Sequence, residues 1–156
     1  MDAGKGASTN NVRFLKTDPK ARYQGYRFFF KEGFCWIDVN SIYLKARLKG
    51  VGVFDVLSMS LFTQTQIPDS YFVAMINSDL ISMYVDNFIN NTSHFQINDA
   101  RQLPIVIPSY ELINRIVRIT SSAITSKQKI QQNTSQEIAQ IQEHLDYIVK
   151  QIYGIK

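Results

Sequence analysis

The chain has one cysteine, Cys35, and only two histidines, His94 and His144, among its 156 residues. A single thiol excludes an internal disulfide framework and a cysteine-built zinc site, and it fits a reducing cytoplasm. Set between Phe34 and Trp36, Cys35 reads as a buried structural thiol rather than a nucleophile. The two histidines lie far apart and lack the spacing of metal ligands. No Gly-rich phosphate loop occurs, since Gly50-Val51-Gly52 is not followed by the further glycine and helix that such a loop needs. There is no Gly-x-Ser-x-Gly elbow, and the acids are scattered rather than paired. The sequence therefore points away from autonomous catalysis. The opening "MDAGKGASTNN" has no apolar core of a secretion signal, and no continuous apolar run is long enough for a membrane span.

What is present is a folded composition, 45% hydrophobic and 19% charged, in a chain long enough for one ordinary domain. Its net charge of +4 is unevenly spread. Residues 1–50 hold ten basic side chains against four acids, whereas residues 51–100 hold five Asp and no Lys or Arg. Such polarity suits a module with one face turned to a polyanion, although a solvated surface with clustered charges has the same composition.

The pattern along the chain predicts an α+β fold. Residues 1–22 read as a flexible or added N-terminal stretch. Residues 23–63 read as a small mixed β-sheet, with "YRFFF", "FCWIDV", "YLKARL" and "LSMSLFT" as short strands punctuated by Gly33, Gly50 and Gly52. In "YLKARL", Leu44, Ala46 and Leu48 share one face and Lys45 and Arg47 the other. A helical pair is expected over 69–90, with Asp69 and Asp79 as caps and an apolar stripe through Phe72, Met75, Ile76, Leu80, Met83, Tyr84 and Phe88 that reads as core. Pro104 and Pro108 limit "IVI" to a short strand near 104–107. A long C-terminal helix follows over 109–153, weakened around "SSAITSKQKIQQNTSQ", and Gly154 can end it. Ile138, Ile141, Leu145, Ile148 and Ile152 recur at coiled-coil spacing, as if for a partner helix, a second copy or the domain itself.

Two stretches in the middle of the chain resemble a known family. Met75-Ile76-Asn77-Ser78 is similar to a "Leu-Leu-Asn-Ser" element, and Gln96-Ile97-Asn98-Asp99-Ala100-Arg101-Gln102-Leu103-Pro104-Ile105-Val106-Ile107-Pro108 to a "Gln-x-Asn-Asp-Ile-Arg-x-Ile-Pro-Ile-Pro" element. Both belong to the TaqI-like target-recognition domain of adenine-specific DNA methyltransferases and type IIG restriction–modification enzymes, and the chain is similar also to type I specificity subunits. "HLDYIVKQIYGIK" resembles the ending of many type IIG chains. The resemblance spans about Tyr23 to Lys156, divided into a recognition domain over 23–108 and a helical, coiled-coil region over 109–156. The Asn-Pro-Pro-Tyr and Gly-rich S-adenosylmethionine motifs of the catalytic half are missing.

The resemblance implies a specificity domain without catalytic residues, cofactor or metal of its own. It implies double-stranded DNA as partner, and a separate methyltransferase or endonuclease domain or subunit that binds S-adenosylmethionine. Self-association through the C-terminal helix is a further expectation. On this reading Arg27, Lys31, Lys45, Arg47 and Lys49 are candidates for phosphate or base contacts. Gln64 and Gln66 in "TQTQ" are candidate base readers, and Tyr23, Tyr26 and Tyr43 could lie against the backbone. Asn98 and Asp99 suit a cap or turn that Arg101 ties to a neighbour; contact of Asn98 or Arg101 with phosphates is the alternative. The competing function is a coiled-coil protein-interaction scaffold without DNA specificity, resting on the Ile138–Ile152 spacing.

Overall fold

The computed structural model describes residues 13–20, 25–39, 43–54, 58–128 and 134–155. Tyr23, the first twelve residues and the 129–133 connection lie outside the described residues. Residues 13–17 are helical, within the stretch read as a flexible end.

The α+β class holds. Three strands, β1 (Gly33–Ile37), β2 (Ala46–Lys49) and β3 (Ser58–Leu61), form a sheet in the order β2-β1-β3. Both pairings are antiparallel, so the sheet is not mixed. Only residues 38–45 join β1 to β2, too short a stretch for the crossover that a parallel pair requires. Opposed residues share a face: Phe34 with Leu48 and Leu61, Trp36 with Ala46 and Met59, and Cys35 with Arg47 and Ser60. The expected alternation along "YLKARL" places Leu44 and Ala46 in the core. Leu48 departs from it at 44% exposure: it lies opposite the buried Phe34 but on the edge strand, outside the apolar cluster beneath the sheet.

"YRFFF" is not a strand. Tyr26–Phe28 is a turn of 3-10 helix, and Phe30 takes φ 62°. Phe28 stacks on Phe62 at 4.9 Å, and Phe29 meets Phe54 edge-on at 5.1 Å. These aromatic contacts, rather than a ladder, hold the segment. Gly33 is fixed by close approach: a Cβ there would stand 2.4 Å from the Leu61 carbonyl oxygen.

Helices α1 (Asp69–Ile76) and α2 (Asp79–Tyr84) form the expected pair, and a wider π turn over Val85–Ile89 continues α2. The caps sit one residue earlier than expected. Pro68 stands at the first N-cap, and Asp69, already helical, accepts the Thr63 hydroxyl at 2.8 Å. Ser78 caps α2 by accepting the Ile81 N–H. Asp79 is thereby left to pair with Lys150 at 2.7 Å, while its N–H donates to Asp146. Helix α1 is apolar all round because it is a wall of two clusters. Val73 and Ile76 join Phe34, Trp36 and Phe95 under the sheet, whereas Tyr71, Ala74 and Met75 join the C-terminal helices.

Helix α3 (Ile97–Ala100) is one turn, whose Asp99 carboxylate receives the Gln96 N–H at 2.8 Å. Residues 104–107 are not a strand. The Pro104 carbonyl accepts the Tyr153 hydroxyl at 2.6 Å and the Val106 carbonyl accepts the Tyr71 hydroxyl, so the stretch is pinned by phenols. Burial pushes both phenols' pKa values up.

In place of one long helix, α4 (Tyr110–Gln128) and α5 (Thr134–Ile152) pack antiparallel, with Arg115 beside His144 and Ser126 beside Glu137. Ser109 caps α4 through the Leu112 N–H, and Gly154, at φ 70°, ends α5. Four of the five predicted seam residues, Ile141, Leu145, Ile148 and Ile152, pack inside the chain, and Ile138 is half-buried outside that cluster. Leu145, Ile148 and Val149 are buried with Ile113, Ile116 and Met75, and Ile141 and Ile152 pack on them. Among the described residues no helix is long and apolar enough to cross a membrane.

The two quoted motifs are fasteners. Asn77 accepts the Ala46 N–H at 2.6 Å and donates to the Ala46 carbonyl at 2.9 Å, closing the outer edge of β2 against the α1–α2 junction. Asn77→Ala leaves both backbone groups without this partner and is expected to cost about 1–2 kcal/mol in denaturant unfolding. Asn77→Asp keeps the acceptor but sets a carboxylate oxygen against the Ala46 carbonyl in place of the donor, and should cost at least as much.

Candidate nucleic-acid interface

The face of the sheet turned away from α1 is built by alternation. Arg47, Cys35 and Ser60 lie abreast across three strands, so a cation sits beside two small polar side chains. Arg47 is exposed, as is Lys45 just before β2. A shallow depression of about 520 Å³ opens here, lined by Cys35, Arg47, Lys49, Val53, Phe54 and Ser58. The Cys35 thiol forms its floor and is buried, as expected.

Lys49 serves a different purpose from its neighbours. Its ammonium donates to the carbonyls of Lys31, Gly50 and Gly52 at 2.9, 3.0 and 3.1 Å. It also lies 5.8 and 5.6 Å from the ring centres of Phe54 and Phe62. All three N–H donors are thus engaged on the protein, and the lysine works as a clamp between two loops. The Phe30 N–H adds a bond to the Gly52 carbonyl at 2.9 Å. Phe30 itself is held in the left-handed region, at a cost of roughly 1–2 kcal/mol for a residue with a Cβ.

Arg27 and Lys31 are exposed on the first of those loops. The Lys31 ammonium stands 5.3 Å from the Phe28 ring centre, and Lys16 stands 4.6 Å from that of Tyr26. A hydrogen bond from Arg27, helped by the charges of Arg27 and Lys16, holds the Tyr26 phenol below its ordinary pKa against the opposing effect of desolvation. Tyr43 is exposed, beside a pocket of about 370 Å³ that Asp86, Asn90 and His94 also line.

A larger groove of about 1060 Å³ runs between β3 and α3. Its bed is apolar (Phe28, Met59, Leu61, Phe62, Ile97, Ala100), and its polar lining is Asp38, Ser60, Gln64, Gln96 and Arg101. Residues distant in sequence meet here, since Gln64 follows β3 while Gln96 and Arg101 flank α3. Gln66 is exposed beyond the groove lining.

The segment bearing α3 is strapped to β1. The Phe95 N–H donates to the Asp38 carbonyl at 2.8 Å, the Trp36 indole N–H donates to the Phe95 carbonyl at 2.9 Å, and His94 Nδ1 lies 3.0 Å from the Asp38 carboxylate. Asp99 also accepts the Asn90 amide, and Asn98 accepts the Arg101 guanidinium at 3.1 Å. Asn98 and Asp99 thus serve the turn, and Arg101 reaches the groove from it.

Sequence reasoning missed the groove bed and the exposed Phe30, Val51 and Val53. Three consecutive phenylalanines before Lys-Glu-Gly carried a signal, because a two-faced strand cannot bury all three. The sheet face and the groove offer guanidinium forks and carboxamides, the groups that bond bidentately to phosphates and base edges. No protein-family model matches the chain, and comparison with curated proteins found no match.

Proposed function

We propose that the chain is a target-recognition module of a DNA restriction–modification system, holding double-stranded DNA on the outer sheet face and the adjoining groove. The observation that carries this reading is the division of cations. Lys49 is spent on loop carbonyls, whereas Arg27, Lys31, Lys45 and Arg47 are exposed around the same sheet. Backbone phosphates take the exposed cations, and Gln64, Gln96 and Arg101 read base edges from the groove rim. The resemblance of the Asn77 and Gln96–Pro108 stretches to target-recognition domains supports the same reading.

Methyl transfer or cleavage, with the S-adenosylmethionine it uses, belongs to a partner domain or subunit in the cytoplasm. The antiparallel helical hairpin is the platform through which that partner is engaged. A scaffold built on the Ile138–Ile152 seam is less well supported, since Leu145 and Ile148 are buried within the chain and Ile141 and Ile152 pack against them.

The test is selection of duplexes from a randomised pool by the purified chain, followed by titration of a selected duplex over a range of salt. Arg47→Ala is expected to weaken binding about tenfold and to lower the salt slope by about one. Failure to retain any duplex above background at low salt, or full affinity in Arg47→Ala, overturns the proposal.

A further inference from the structure

We infer that Phe30, with Val51 and Val53, forms an apolar wedge that enters the base stack of duplex DNA; this rests on the DNA-recognition reading above. Three apolar side chains stand 68%, 67% and 63% exposed at the end of the sheet where β1 begins and β2 ends. The backbone bond from Phe30 to Gly52 sets the ring opposite the loop that carries both valines. The neighbouring rings turn inward, Phe28 onto Phe62 and Phe29 onto Phe54. Phe30 alone turns outward, in a left-handed backbone conformation that the fold must maintain.

The tip is rigid. The Lys49 ammonium bonds carbonyls of both loops, and the aromatic contacts lie directly beneath. A preorganised apolar point of this kind is what separates a base step without losing its own order on binding.

Its surroundings specify the occupant. Arg27 and Lys31 flank Phe30 in sequence, Arg47 lies on the adjoining face, and Glu32 is the one acid between Phe28 and Ile37. Three side chains make too small a patch for a stable protein interface. Flanked by cations, they suit a stacked polyanion, in which the ring replaces base–base contact and the cations take the phosphates on either side.

The experiment places 2-aminopurine in turn at each position of a duplex selected by the full chain. Binding is expected to raise its emission at one step, where stacking is lost. Phe30→Ala and Phe30→Gly should bind about tenfold more weakly, keep the salt slope and leave emission flat, and Phe30→Trp should restore it. Glycine is native to the left-handed region, so Phe30→Gly deletes the ring without a folding penalty. Tight binding with flat emission in the unsubstituted chain overturns the wedge and leaves recognition standing, as does a rise that survives Phe30→Gly. Failure of the chain to retain any duplex removes both. Sedimentation with phosphatidylserine-containing vesicles that depends on Phe30, with flat emission on DNA, assigns the tip to a membrane surface instead.

Discussion

Trp36→Ala is expected to lower unfolding free energy by about 3–5 kcal/mol, a large share of the ~5–15 kcal/mol that holds a domain of this size. Trp36 is 1% exposed at the centre of the middle strand. It packs against Phe95, and its indole N–H donates to the Phe95 carbonyl. Truncation therefore opens a cavity under the sheet and frees the strap that positions α3. Trp36→Phe separates the two losses: it keeps most of the volume and gives up the hydrogen bond, for about 1–2 kcal/mol. Chemical denaturation followed by circular dichroism measures both, since Trp36 is the sole tryptophan and fluorescence goes with it. Equal losses in the two variants would show that packing contributes little here.

Lys49→Met should cost about 3 kcal/mol, more than the loss of an ordinary surface lysine, because three charge-assisted bonds to carbonyls disappear together. The methionine keeps a side chain of similar length beside Phe54 and Phe62, while the ammonium's contact with both rings is lost. Amide exchange should then quicken in residues 30–32 and 50–54 and stay unchanged in α4 and α5. Arg47→Ala, whose side chain is exposed, should leave that exchange pattern alone. If Lys49→Met and Arg47→Ala alter stability and exchange alike, the clamp does not hold the loops.

Much of the scaffold was legible because burial imposes period. The alternation in "YLKARL" gave the inward Leu44 and Ala46 and the outward Arg47, and the apolar stripe gave the buried Met75, Ile76 and Leu80, but Met83 and Phe88, read as core on the same stripe, are exposed. The errors share a cause: local pattern does not reveal which tertiary partner takes a backbone group. Pro104–Ile107 looked like an edge strand because it is extended and apolar, yet tyrosines forty-nine and thirty-five residues away in sequence donate to its carbonyls. "YRFFF" had strand propensity, but contacts with Phe54 and Phe62 were worth more than a ladder. The apolar seam of α5 carried the right period and left the identity of its partner open; the partner is α4, with α1 behind it. Of the candidate site, the outward cations were readable from alternation. The groove was not, since Gln64 and Arg101 meet only once α3 is strapped to β1. Nor was the clamp of Lys49, whose acceptors lie on two separate loops.

Helix α1 has a thermodynamic consequence. Its eight residues give Val73 and Ile76 to one cluster and Tyr71, Ala74 and Met75 to the other. Neither cluster can melt while the other keeps its wall, so the sheet and the hairpin share one folding equilibrium. Anything that binds the folded hairpin of α4 and α5 would therefore protect the sheet from unfolding without touching it, and anything that binds the folded sheet would protect the hairpin.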